Sequence, residues 1–236
     1  ATMNHLQGLS FRENLNMFQG YDFPANSLDD ILQLKLTIPA GFRPFQYFSV
    51  YLKLWYYPFP KYDYDNLFLQ IVNVSIESDI PQYAGMNVST ARKLKQLLAV
   101  IAKSVPFKPN ISSLASVLNV SRNSVADYCL YIEEAGMIAQ LRDDTGGIRG
   151  LGKVNKIYLD NTNLIYALGR EGVEIGNVRE TFFFNQLRVN QDVITSSVSD
   201  FKIDGYTFEV GGRKKGQKQI ECIDNAFVVK DDIEYG

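Results

Sequence analysis

The segment from Ser199 to Val210 places the tightest limit on the fold, because it reads as two short strands joined by a tight turn. Apolar and polar residues alternate on both sides of Asp204-Gly205, and such a pair readily adopts the positive φ angles of a two-residue hairpin turn. This turn sets the register and places Asp200 opposite Glu209. The Cβ atoms of the two carboxylates would lie about 5 Å apart, where the like charges oppose pairing unless a cation, a proton or a lysine intervenes. We therefore predict a metal site at Asp200 and Glu209. The same register pairs Ile203 with Tyr206, Lys202 with Thr207 and Phe201 with Phe208.

The composition is that of a globular chain without a dominant charge. Of the 236 residues, 46% are hydrophobic, which suits one large domain or two to three small ones. The formal net charge is -2, so a nucleic acid would have to bind at a local basic patch. No apolar run is long enough to cross a membrane. No membrane partner is therefore expected. The two cysteines lie far apart inside periodic segments, which predicts reduced thiols and a cytoplasmic location.

Residues 89–160 carry the pattern of a winged helix. An amphipathic helix from Ala91 to Ala102 precedes two helical segments separated by a turn at Asn119, which tolerates the left-handed conformation. Ser121 is placed to cap the second of these segments, and two strands follow around a glycine-rich turn. In winged helices that read DNA, the start of the second helix meets the major groove. The pattern therefore predicts DNA contact, with a purely structural packing module as the alternative.

Polar and basic residues occupy the positions that would meet DNA. Side chains at the start of the second helix can contact bases or phosphates, and cations near the wing and in a later loop can hold phosphates. The predicted nucleic-acid-binding residues are Ser121, Arg122, Asn123, Ser124, Arg149, Lys153, Lys156, Arg213, Lys214 and Lys215.

The chain divides into three predicted regions, and the predicted class is α+β with several domains. Residues 1–88 are aromatic-rich and helical, residues 89–160 form the winged helix, and residues 161–236 form a small α/β domain. The expected elements of the last region, besides the hairpin, are helices at 163–169, 177–187 and around 217–223, and strands at 193–195 and 226–230.

Three short motifs accompany the helix-turn-helix: Tyr158-Leu159-Asp160-Asn161, Arg179-Glu180-Thr181-Phe182-Phe183 and Phe208-Glu209-Val210-Gly211-Gly212. Together they resemble the C-terminal region of a prokaryotic family of AAA-type ATPases, catalogued as domain of unknown function 4143. The resemblance implies a lid-like helical segment at residues 1–88, a winged helix, and a restriction-endonuclease-like domain that continues beyond residue 236 in relatives. It also implies an upstream P-loop domain, absent from this chain, where ATP would bind.

The resemblance further implies roles within the nuclease-like domain. In nucleases of that fold, an Asp and an acid-x-Lys element on the next strand bind magnesium, and the lysine orients or activates the attacking water. Asp200 and Glu209 match the acidic positions, and Glu180 matches a supporting acid. Gly211 stands where the lysine is expected. Lys202 is either a substitute for that lysine or a simple counter-charge for the acids.

The expected function is that of an interaction portion of an AAA-type ATPase, which contacts DNA or another macromolecule through the winged helix and carries a degenerate nuclease-like domain. Two alternatives stay open. One is an active magnesium-dependent nuclease that uses Asp200, Glu209 and Lys202, and the other is a protein-binding or oligomerising scaffold. No ATPase activity is expected from this chain alone. The expected partners are DNA and the missing ATPase domain, and a homo-oligomer stays open.

Overall fold

The computed structural model describes residues 7–59, 61–106, 108–144, 152–169 and 172–233. Over these residues the chain has a mixed α+β fold, in which helices surround two small sheets. None of the described helices is long and apolar enough to span a membrane. The helices are α1 (Phe11–Gln19), α2 (Leu28–Leu32), α3 (Pro44–Tyr51), α4 (Tyr64–Val74), α5 (Ile80–Tyr83), α6 (Val88–Ser104), α7 (Ile111–Leu118), α8 (Arg122–Glu134), α9 (Thr162–Gly169) and α10 (Ile175–Leu187). The strands are β1 (Ile138–Arg142), β2 (Val154–Leu159), β3 (Val193–Thr195), β4 (Phe201–Ile203), β5 (Tyr206–Gly211) and β6 (Ala226–Lys230).

The turn between α7 and α8 has the geometry that its residues predict. Asn119 adopts φ 51° and ψ 57°, in the left-handed region. The Ser121 hydroxyl accepts a hydrogen bond from the Ser124 amide at 3.0 Å, which caps the start of α8. Leu118 and Val125 are buried on the inner faces of the two helices. The two helices and the turn predicted here are therefore present.

The strands form two separate sheets. β1 and β2 make an antiparallel pair, and the second sheet has the order β3-β4-β5-β6, with a parallel contact only between β5 and β6. Asp204 and Gly205 have φ angles of 47° and 85°, as a two-residue hairpin turn requires. The predicted register is confirmed for the pairs Phe201 with Phe208, Lys202 with Thr207 and Ile203 with Tyr206.

The helix expected around residues 217–223 is not formed. The amide of Ile220 donates to the carbonyl of Gln217 at 2.8 Å, and the amide of Ile223 donates to the carbonyl of Ile220 at 3.1 Å, so the segment makes two successive four-residue turns. Ile220 is the buried side chain within this stretch, and an apolar face that could hold a helix against the core is missing.

The hairpin of β1 and β2 is buried on both faces. Ile157 and Leu159 belong to the core formed with the helices. Their neighbour Tyr158 points the other way and joins Phe201 and Phe208 in the core of the second sheet. This follows from strand geometry, since successive side chains point to opposite faces. The hairpin therefore holds the α6–α8 unit and the second sheet together.

A buried asparagine ties the N-terminal region to the rest of the chain. The Asn163 Oδ1 atom accepts hydrogen bonds from the Tyr56 amide at 2.9 Å and from the Tyr64 hydroxyl at 2.5 Å. Its Nδ2 atom donates to the carbonyls of Tyr51 and Leu52, both at 3.0 Å. The side-chain amide of Asn163 thus makes four hydrogen bonds. Each of them joins residues that are more than 90 positions apart in the sequence.

Next to it lies a buried ion pair between Asp160 and Arg188. Burial raises the pKa of Asp160, although the Arg188 guanidinium and the Asn161 amide pull it down. Asn185 completes the group, because its Nδ2 atom donates to the Asp160 carbonyl at 2.9 Å and to the Tyr56 hydroxyl at 3.1 Å. Polar groups from all three predicted regions therefore share one network.

Candidate functional site

Three acidic side chains and two lysines converge beside the second sheet, and we call them the acid–lysine cluster. Glu180 lies on α10, Asp200 directly precedes β4, and Glu209 lies in β5. The lysines are Lys156 from β2 and Lys215 from the irregular segment after β5. Sequence reasoning assigned the three acids to a possible nuclease-like site, and both lysines to DNA contact. It did not place any of the lysines of this cluster beside the acids.

Lys156 bridges two of the acids. Its Nζ atom lies 3.2 Å from Glu180 Oε2 and 3.3 Å from Asp200 Oδ1. Burial alone would lower the pKa of Lys156, but the two carboxylates outweigh it and raise the pKa. Lys156 is therefore a half-buried counter-ion, and the structure does not place it on an open wing surface.

Glu180 is held by a second donor as well. The Tyr158 hydroxyl donates to Glu180 Oε2 at 2.9 Å. Burial raises the pKa of Glu180, the nearby charge of Asp200 raises it further, and Lys156 and Tyr158 oppose the shift. Two like charges thus lie close enough to disfavour each other, which is common where carboxylates have a function.

Asp200 has a donor for each carboxylate oxygen. Oδ1 contacts Lys156, and Oδ2 accepts a hydrogen bond from the Val210 amide at 3.0 Å. β4 begins one residue later, at Phe201, so Asp200 lies just outside the ladder that pairs the hairpin strands. Its side chain is thereby fixed against β5.

Glu209 is the most deeply buried member, with 3% of its surface exposed. Its Oε1 atom pairs with Lys215. Its Oε2 atom is buried without a hydrogen-bond partner among the residues that the structure describes. A buried carboxylate oxygen without a donor is costly and is a natural place for a cation, a proton or a water molecule.

Lys215 reaches Glu209 by lying over Gly211. A Cβ atom at position 211 would come within 2.6–2.7 Å of the Cβ, Cγ and Cδ atoms of Lys215. The space of a side chain at 211 is therefore already filled by the Lys215 chain, and glycine is needed there. The ammonium group also lies within electrostatic reach of all three acids, and the hydrogen bond to Glu209 raises the pKa of Lys215.

Lys202 takes no part in these contacts. It lies exposed between the buried residues Phe201 and Ile203, and it forms no ion pair with any residue in the described ranges. Lys156 and Lys215 supply the positive charge that sequence reasoning sought from Lys202.

The remaining predicted residues lie elsewhere on the surface. Ser121, Arg122 and Asn123 are exposed at the start of α8, and Ser124 is half-buried behind them. Arg122 Nη1 lies 3.5 Å from the Ser112 hydroxyl. Arg149 falls outside the described residues. Lys153, Arg213 and Lys214 are exposed.

No group of three or more His, Cys, Asp or Glu side chains within the described ranges has the arrangement of a metal site. In the acid–lysine cluster, lysine ammonium groups contact one carboxylate oxygen each of Glu180, Asp200 and Glu209. The residues present would fit a divalent ion at Asp200 and Glu209 if the ion replaced a lysine contact and used the unpartnered Glu209 Oε2 atom.

A family described as a domain of unknown function (DUF8612) matches residues 58–174. Comparison with curated proteins gave no match, and comparison with solved structures gave none either. The predicted membership in domain of unknown function 4143 and in the AAA-type ATPases is therefore wrong, since the matching family is a different one. The motifs behind that prediction are short, and helix-turn-helix spacing or a glycine after a strand arises from packing and turn chemistry alone. The match includes Lys156 and Asn163, whereas Glu180, Asp200, Glu209 and Lys215 lie beyond it.

Proposed function

We propose that the chain hydrolyses phosphodiester bonds of nucleic acid, with a divalent metal ion held by Asp200 and Glu209 of the acid–lysine cluster. The observation that carries this proposal is the path of Lys215 over Gly211 to Glu209. Metal-assisted hydrolysis is aided by a positive group near the carboxylates, and position 211, two residues after Glu209, is a glycine that cannot supply one. A lysine from four residues further along the chain supplies the missing ammonium group.

The chemistry assigns a role to each side chain. A divalent ion bound here would polarise the phosphate and make a bound water more acidic. Lys215, released from Glu209 when the carboxylate takes up the ion, would orient the attacking water or balance the charge that develops on the phosphate. Lys156 and Tyr158 would keep Glu180 in place as the supporting acid.

Cleavage assays with matched variants test this function. Supercoiled plasmid and labelled oligonucleotides are incubated with magnesium or manganese, and the parent protein is expected to cut at least one of them. Asp200→Asn and Lys215→Met should each lose about 100-fold or more of the rate. Lys202→Met is the matched control, since Lys202 is exposed and outside the cluster, and it should keep the parent rate. No cleavage by the parent, or equal cleavage by Asp200→Asn, would reject the proposal.

A second candidate function is binding of duplex DNA at the start of α8, in a winged-helix arrangement of α6–α8 with β1 and β2. The specific observation in its favour is the exposure of Ser121, Arg122 and Asn123 at a capped helix N-terminus, where the helix dipole also favours a phosphate. The exposed Lys153, directly before β2, would add a phosphate contact.

Affinity measured against salt concentration tests this second function. Binding to a labelled duplex, followed by fluorescence anisotropy, should weaken steeply as salt rises. Arg122→Ala should lower the salt slope by about one, while Lys35→Ala, at an exposed cation of the N-terminal region, should leave it unchanged. Salt-independent binding, or equal slopes for Arg122→Ala and the parent, would exclude this role. If the chain neither cleaves nor binds nucleic acid, a protein-binding or oligomerising scaffold is the function that remains.

A further inference from the structure

A cavity of about 690 Å³ lies between α3, α10 and the ends of β5 and β6. Its walls are largely apolar and include Phe48, Val178, Phe182, Phe183 and Val229. The rings of Phe48 and Phe182 meet edge to face with centroids 4.8 Å apart, so this wall is built from packed aromatic groups. The volume falls in the range of sites that enclose small organic ligands.

Two lysines border this cavity without a carboxylate partner among the described residues. Lys53 and Lys230 both line it and are exposed, and neither forms an ion pair with any residue in the part of the chain that the structure describes. Lys53 Nζ lies 5.5 Å from the centroid of the Tyr166 ring, another lining residue, which keeps the ammonium over the cavity wall.

The third cation of the lining, Arg179, is paired with two carboxylates that also line the cavity, so this group has one more negative than positive charge. Arg179 Nε lies 2.7 Å from Asp231 Oδ2, and its Nη2 atom lies 3.4 Å from Asp232 Oδ2. The positive charge that a ligand can meet at this cavity therefore comes from Lys53 and Lys230. An apolar interior bordered by unpaired ammonium groups is complementary to a molecule with an apolar body and an anionic end.

We propose that this cavity binds an amphipathic carboxylate, with its hydrocarbon chain between the phenyl rings and its carboxylate at Lys53 and Lys230. No side chain of the acid–lysine cluster lines this cavity, although Val210 and Gly211 of its wall adjoin the cluster, and ligand binding here does not depend on hydrolysis. Burial of each further CH₂ group should tighten binding about 4-fold, so decanoate should bind about 16-fold more tightly than octanoate.

Titration calorimetry with decanoate, decanol and decyltrimethylammonium tests the proposal on the intact chain. Decanoate should bind with a stoichiometry of one and displace the fluorescent probe 8-anilinonaphthalene-1-sulfonate, and the neutral and cationic compounds should bind at least 10-fold more weakly. The double variant Lys53→Ala/Lys230→Ala changes two exposed side chains and should lose about 10-fold in decanoate affinity, with decanol affinity unchanged.

Two controls separate this site from the proposed hydrolytic one. Lys35→Ala/Lys202→Ala removes two other exposed lysines and should bind decanoate as the parent does. Asp200→Asn should also bind decanoate normally, whatever its effect on cleavage. The proposal is overturned if decanoate shows no saturable binding, if all three compounds bind alike, or if the Lys53→Ala/Lys230→Ala variant keeps the parent affinity.

Discussion

The contact between Lys215 and Glu209 should account for a measurable part of the stability of the fold. Glu209 is 3% exposed, while the Lys215 side chain keeps 35% of its surface in solvent. Removing one partner of a buried ion pair costs about 3–5 kcal/mol, because the other charge is left uncompensated. We expect the low end, about 3 kcal/mol, for Lys215→Met, since solvent around the lysine already screens the pair. In a chain of 236 residues this corresponds to a fall in Tm of roughly 6–12 °C.

Urea unfolding followed by far-ultraviolet circular dichroism measures this loss, and a double-mutant cycle assigns it to the pair. Glu209→Gln removes the buried charge, so the double variant Lys215→Met/Glu209→Gln should recover most of the 3 kcal/mol. Lys214→Met, at the exposed neighbouring lysine, should stay within about 0.5 kcal/mol of the parent. The reasoning is refuted if Lys215→Met costs less than about 1 kcal/mol, or if the double variant is no more stable than Lys215→Met.

Three further predictions concern the rest of the fold. Asn163→Ala removes four hydrogen bonds from buried or half-buried groups and should cost at least about 3 kcal/mol in urea unfolding, and a cost below about 1 kcal/mol would contradict the assigned network. Because this network joins all three regions, unfolding followed by Trp55 fluorescence and by circular dichroism should have the same midpoint, and separate midpoints would show independent units. Burial raises the pKa of Cys129 to about 12, whereas Cys222 is exposed, so a thiol reagent at pH 8 should modify one cysteine of the native protein and two in urea. Two fast-reacting thiols in the native protein would argue against this burial.

Features set by residues close in sequence could be predicted from the sequence. The turn at Asp204 and Gly205 fixes the register of β4 and β5, since the conformation of two residues decides which side chains face each other. The left-handed Asn119 and the cap at Ser121 likewise depend on groups within three positions. Local sequence was therefore sufficient to predict these two turns, the helix cap and the register of the hairpin.

The composition of the acid–lysine cluster could not be predicted in this way. Lys156 is 24 positions from Glu180 and 44 from Asp200, so only the packing of the β1–β2 hairpin on the second sheet brings them together. Lys215 follows β5 in an irregular segment, where no periodicity predicts the direction of a side chain. Lys202 looked suitable because it lies near Asp200 in the chain, but proximity in sequence does not decide which lysine neutralises a buried acid.

Both faces of the β1–β2 hairpin are buried, and this limits which fragments of the chain could be soluble. The family match ends at residue 174, before the strands that cover one face of this hairpin. A polypeptide of residues 58–174 would turn Ala139, Leu141 and Tyr158 toward water, and such an apolar strip on a two-stranded ribbon favours self-association. We therefore expect the segment recognised by similarity to be shorter than the smallest segment that folds alone. A soluble fragment of this protein would have to keep the second sheet.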